Sequence, residues 1–125
     1  VGNVKRNKVL IRSRTRPWSE AERLAHHEFD RFGLKGWVAN VALRMAEGDD
    51  YYPDVMFKDV KLAVEIDGYE HHSGREVFEG DRVRQNRLVL AGWTVLRFTY
   101  RQLVDDPAGV VRQIRQMLTV LRRAA

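Results

Sequence analysis

Apolar residues recur along this chain in two rhythms, one of period near 3.6 and one of period 2. Ala21, Leu24, Ala25 and Phe32 follow the first, with Phe29 at the edge of the stripe. Ser19 and Glu22 have capping-box spacing, Pro17 stops a helix from running in from upstream, and Gly33 closes the segment. A helix over about 19–32 follows. Glu28 falls inside its apolar stripe, where a charge needs a partner. Trp37 to Met45 reads as a strand, and Ala46 to Pro53 as a polar loop. Two short apolar runs, Asp54–Phe57 and Leu62–Asp67, are separated by Lys58-Asp59-Val60-Lys61 and form a hairpin. After a polar loop that includes His71 and His72, a second helix is expected from Val77 to Ala91, ended by Gly92. A strand from Trp93 to Thr99 comes next. Asp106 then caps a last helix with Pro107 at its first position and Val110, Ile114, Met117, Leu118 and Leu121 at helical spacing. The order is α-β-β-β-α-β-α, an α/β domain without internal repeats.

The hairpin carries the chemistry. A turn centred between Asp59 and Val60 pairs Phe57 with Leu62 and Val55 with Val64, and places Asp54 opposite Glu65. Val55, Phe57, Leu62, Val64 and Ile66 then share one face, while Asp54, Met56, Ala63, Glu65 and Asp67 share the other. Opposed residues have Cβ atoms about 4.5–5.5 Å apart. Two unit charges about 5 Å apart repel by roughly 3 kcal/mol at an effective dielectric near 20. A cation turns that repulsion into ligation. Asp54, Glu65 and Asp67 are therefore candidate ligands for Mg²⁺ or Mn²⁺, hard ions that favour oxygen donors and keep several waters. Such an ion makes its water a stronger acid and a source of nucleophile near neutral pH. The competing expectation is that each acid pairs with one of the chain's many arginines.

Charge adds a second feature. The 125 residues carry a net +5, unevenly placed. Residues 1–16 hold Lys5, Arg6, Lys8, Arg12, Arg14 and Arg16 and no acid, so this arm is +6 and the rest of the chain −1. It is expected to be a phosphate-binding arm, a solvated tail, or a linker from an upstream domain. Residues 17–125 form the domain proper. The absence of cysteine excludes disulfides and thiolate metal sites. No apolar run approaches the roughly 20 residues that span a bilayer. With no signal-peptide pattern, a cytoplasmic location is the default expectation.

Pro53-Asp54 followed by Glu65-Ile66-Asp67 resembles the two-part signature of the PD-(D/E)XK nuclease superfamily. Val64-Glu65-Ile66-Asp67-Gly68, His71-His72, Asp81-Arg82 with Leu88, Gly92-Trp93 and Val95-Leu96-Arg97-Phe98 together resemble the small domains similar to the very-short-patch mismatch repair endonuclease, over about residues 19–121. The resemblance implies a restriction-endonuclease-like core, a mixed central sheet flanked by helices. It implies Asp54 and Glu65 as metal ligands and Glu28 as the acid that many members carry on the first helix. One position departs from the pattern. The superfamily usually has lysine two residues after the second acid, and here that residue is Asp67. Either Asp67 binds metal directly, or another residue, Gln85, Arg82 or His72, stands in for the lysine. His72 is also a candidate general acid. Arg97 either neutralises a buried acid or touches phosphate. His26 and His27 are expected to be surface or packing residues.

The leading expectation is a divalent-metal-dependent endonuclease acting on nucleic acid, with DNA as the expected substrate. Lys5, Arg6, Lys8, Arg12, Arg14, Arg16 and Arg82 would contact the backbone, since phosphate contacts supply affinity without sequence information. The alternative is a catalytically weak nucleic-acid-binding module of the same fold, for example part of a toxin–antitoxin regulator. A homodimer or an attached upstream domain fits either. A third reading is a dimerisation or protein-interaction domain built on the amphipathic last helix, which leaves the acids unexplained.

Overall fold

The computed structural model describes residues 20–44, 50–67 and 75–125, with the side chains of 75–79 and 81 outside that description. The basic arm, Ser19, Gly68, His71 and His72 lie outside the described residues. The first helix, α1, spans Glu20–Arg31 and buries Ala21, Ala25, Glu28 and Phe29. It stops because Gly33 takes φ 73°, a conformation that a Cβ disfavours. Gly33 N–H donates to Asp30 O at 3.0 Å and Leu34 N–H to Phe29 O at 2.9 Å, the two bonds of a Schellman ending.

The strand expected over 37–45 is broken. Gly36 and Asn40 both take left-handed φ, 90° and 60°, which interrupts the pleat on either side of Val38. Val38 alone bridges Met56, through bonds of 2.8 and 2.9 Å. Farther on, β1 (Leu43–Arg44) pairs with β2 (Asp50–Tyr51) as a separate two-stranded ribbon. β2 thus falls within the stretch expected to be a polar loop.

The central sheet has the order β3-β4-β5. β3 (Val55–Phe57) and β4 (Leu62–Asp67) are antiparallel, with Val55↔Val64 and Phe57↔Leu62. This is the register that the alternation requires. A 3-10 turn, Lys58–Val60, closes the hairpin, with Lys61 in the left-handed conformation. β5 (Thr94–Thr99) lies parallel to β4, so that Glu65 faces Arg97 and Asp67 faces Thr99. The crossover between them is α2, Arg75–Leu90.

Two layers sandwich the sheet. Val55, Phe57, Leu62, Val64, Ile66 and Phe98 form one core with Ala21, Ala25 and Phe29 of α1. Val110, Val111, Ile114 and Leu118 of the last helix, α4 (Pro107–Ala124), complete it. Each fully buried large side chain contributes roughly 1.5–3 kcal/mol. Met56, Ala63 and Leu88 are buried outside that cluster, on the side where α2 packs. As expected, the Asp106 carboxylate caps α4 by accepting from Gly109 N–H at 3.0 Å.

A short helix, α3 (Tyr100–Asp105), was not foreseen. Its signal is Thr99-x-x-Gln102. Thr99 Oγ1 accepts from Gln102 N–H at 3.0 Å, and Gln102 Oε1 accepts from Thr99 N–H at 2.8 Å, a reciprocal capping box. No helix among the described residues is long and apolar enough to cross a membrane.

Candidate active site

Asp54 stands just beyond the last paired residue of β3, after Pro53. Its Oδ2 accepts from the N–H of Ile66 on β4 at 2.7 Å, which fixes the carboxylate against the end of the hairpin. Burial pushes this carboxyl up from an ordinary value of 3.8 to about 7. The Ile66 N–H opposes that rise by favouring the anion. A hydrogen bond to Glu22, the charge of Glu22 and the charge of Asp67 all add to it.

The first-helix acid at this site is therefore Glu22. Glu28 is not brought to Asp54. It is buried, as its place in the stripe demands, and its Oε1 accepts from Arg31 Nε at 2.9 Å and Nη2 at 2.7 Å. The reason is distance along the helix axis: six residues carry Glu28 about 9 Å past Glu22. Glu22 had a visible role as a capping-box residue, which masked the other.

His26, one turn after Glu22, also reaches Asp54, by a hydrogen bond to its backbone. Burial lowers the pKa of the imidazole, while that bond and the charges of Glu22 and Asp30 oppose the shift. The ring stacks on Trp37 at 5.3 Å, and Trp37 meets Phe29 edge-on at 6.0 Å. Trp37 Nε1 donates to Leu34 O at 3.0 Å. His26 is a packing residue, as its place on the helix suggested, but it packs at the site.

Glu65 and Asp67 project from β4 to the α2 side. The ladder ends at Val55↔Val64, so Asp54 stands beyond the paired residues, and the acids that act on it are Glu22 and Asp67. Glu65 lines a shallow cleft with Tyr51, Arg84, Gln85, Leu88, Val95 and Arg97. Gln85 thus lines the same cleft as Glu65. Arg84 lies over the Tyr51 ring, 4.9 Å from its centroid. Arg82 is exposed on α2. Arg97 Nη2 donates to Asp67 Oδ1 at 2.9 Å. Asp67 therefore belongs to both parts of the site: its charge raises Asp54, and it holds the guanidinium of β5.

No group of three or more histidines, aspartates or glutamates among the described residues forms a ready cation cage. The donor set nevertheless suits a hard ion. Mg²⁺ is commonly held by one or two carboxylates together with waters and substrate phosphate. The hydrogen bond between Asp54 and Glu22 marks two carboxyl groups sharing what a cation can replace.

A family model, REase_MTES_1575, a restriction-endonuclease-like domain, matches residues 35–118. Among solved structures the chain is similar to one titled Homing Endonuclease I-Bth0305I Catalytic Domain, with a TM-score of 0.58 and 19% identity over 83% of this chain and 98% of that one. At that identity the likeness concerns the fold, a mixed α/β arrangement with a small mixed sheet. No curated protein matches the chain significantly in sequence.

Proposed function

The chain belongs to the REase_MTES_1575 family of restriction-endonuclease-like domains, and from that footing we propose that it is a divalent-metal-dependent endonuclease hydrolysing phosphodiester bonds, with DNA as substrate. The observation that carries this reading is the half-buried Asp54 carboxyl, raised to about 7 beside Glu22 and Asp67 at the open end of the hairpin. A fold gains no stability from collecting carboxyl groups there. A cation-binding function accounts for them.

Asp54 and Glu65 would hold the ion, with Glu22 in the place first given to Glu28, and Asp67 completing the site. Bound there, Mg²⁺ or Mn²⁺ supplies a lowered water pKa and neutralises charge on the phosphate. Ile66 N–H and the His26 bond keep Asp54 in place. Gln85, which lines the same cleft as Glu65, would orient a water or a phosphate oxygen. His72 keeps its candidacy as general acid from its position in the sequence. The finer likeness to the very-short-patch repair endonucleases rests on the motifs around Glu65, His71-His72 and Arg97.

The test is incubation of supercoiled plasmid and of single-stranded DNA with the protein, in Mg²⁺, in Mn²⁺ and in chelator. Nicking or linearisation with metal, absent in chelator and in Asp54→Ala, is the expected result. Cutting that persists undiminished in a folded Asp54→Ala variant would remove the site assignment.

The basic arm makes a separate contribution in this reading. Lys5, Arg6, Lys8, Arg12, Arg14 and Arg16 attract the backbone without reading bases. Deleting residues 1–16 is expected to weaken binding to unrelated duplexes alike. The slope of log affinity against log salt should become shallower by about 0.9 for each lost phosphate contact. Unchanged slopes on two duplexes would show the arm to be a tail or linker.

A further inference from the structure

An all-carboxylate site has a defect as a receptor for phosphate. The anionic backbone that it must bring close is repelled by Asp54, Glu22, Glu65 and Asp67. A metal ion can offset part of that repulsion, but the phosphate must also be oriented, which calls for a fixed donor of positive charge.

We propose that Arg97 is that donor: it binds the non-bridging oxygens of the scissile phosphate, and Asp67 positions it. The inference rests on the nuclease reading above and deepens it. Three observations place Arg97. It lies opposite Glu65 in the parallel β4-β5 register, on the face that Glu65 and Asp67 share. It lines the cleft with Glu65 and Gln85. Its side chain is 34% exposed, so a ligand reaches it, while Asp67 Oδ1 holds its Nη2 at 2.9 Å.

Three other described arginines are placed differently. Arg84 is stacked on Tyr51, Arg44 pairs with Asp50 on the outer ribbon, and Arg31 is tied to Glu28. Arg97 alone of these combines a central strand, whose six residues all pair with β4, with a bond to one of the site's own acids. A guanidinium offers five N–H donors in a planar fork, so a bond to Asp67 leaves it able to engage a phosphate. Asp67 cannot supply positive charge itself. By aiming the arginine of the next strand, it supplies one at second hand.

The experiment compares wild type, Arg97→Lys and Arg97→Gln in single-turnover cleavage of one duplex with Mn²⁺. Melting temperature and Mn²⁺ affinity are measured for each. The Arg97 Nε–Hε resonance of the wild type is followed by NMR as a dinucleotide is added. Arg97→Gln is expected to lose about 100-fold or more in the cleavage rate, the scale of removing one charge-stabilising donor, with Mn²⁺ affinity unchanged. Arg97→Lys is expected to fall between the two. The resonance should move with the dinucleotide.

Arg97→Gln or Arg97→Lys cleaving within about threefold of wild type overturns the proposal. So does a resonance that stays fixed in a wild type that cleaves. If Arg97→Gln does not fold, Arg97→Lys and the resonance decide. A wild type that does not cleave but whose Arg97 resonance moves defeats the nuclease reading and leaves the phosphate site standing.

Discussion

Asp54→Asn is expected to abolish cleavage and, in chelator, to make the protein more stable above pH 7. The folded Asp54 carboxyl sits at about 7 against an ordinary 3.8. Between those two pH values the folded state binds the proton more tightly than the unfolded one, so stability falls as pH rises through this window and levels off above it. The whole fall is on the order of 4 kcal/mol or less. Asparagine keeps an acceptor for the Ile66 N–H and gains an amide that can donate to Glu22. The variant should therefore lack most of this fall. Even 1 kcal/mol raises the melting temperature by roughly 4 °C in a domain of this size. Thermal unfolding of both proteins in chelator from pH 4 to pH 8 measures the effect. Parallel curves, or a variant less stable than wild type at pH 8, would defeat the account of Asp54 as a strained acid. Mn²⁺ at about 100 times its Kd should restore about 2.7 kcal/mol to the wild type at pH 8 and much less to the variant. The same charge that costs stability in chelator is the one that the metal needs.

The largest loss of stability from a single change next to the site is expected at Phe29. It is fully buried between α1 and the sheet and meets Trp37 edge-on. Phe29→Ala should cost about 3–5 kcal/mol, through lost burial and the cavity left behind. That is a large share of the roughly 5–15 kcal/mol that holds a domain together. Glu22 and His26 ride on the same helix, seven and three residues before Phe29. Loosening α1 should therefore also impair the alignment of Glu22 with Asp54, and cleavage should fall at temperatures where the variant is still mostly folded. Urea unfolding measures the first effect and activity at low temperature the second. A loss under about 1 kcal/mol would show that α1 is anchored elsewhere.

Much of this molecule follows from local rules. The alternation of Val55, Phe57, Leu62, Val64 and Ile66 around a four-residue connection permits one hairpin register, because a slip of one residue would turn the apolar set to the wrong face. That register already puts Glu65 and Asp67 on a common face, with Asp54 at its end. Gly33 ends α1 and Asp106-Pro107 begins α4 for reasons contained in the residues themselves. Even α3 was legible in the Thr99-Gln102 capping pair.

The tertiary structure decided the remainder. Helical periodicity places both Glu22 and Glu28 near the inner side of α1, but which of them meets Asp54 depends on how far along the axis the end of the sheet falls. No spacing within the helix contains that distance. Alternation gives the face of Arg97, yet only the parallel register that α2 imposes by its crossover sets it against Glu65 and beside Asp67. The strand expected at 37–45 failed because Gly36 and Asn40 adopt left-handed backbone. A β-favouring composition cannot reveal that, since the choice is made by what the segment packs against. Contacts between neighbours in sequence are written in the sequence. Contacts between elements depend on relative placement, which is settled only when all of them bury their apolar faces together.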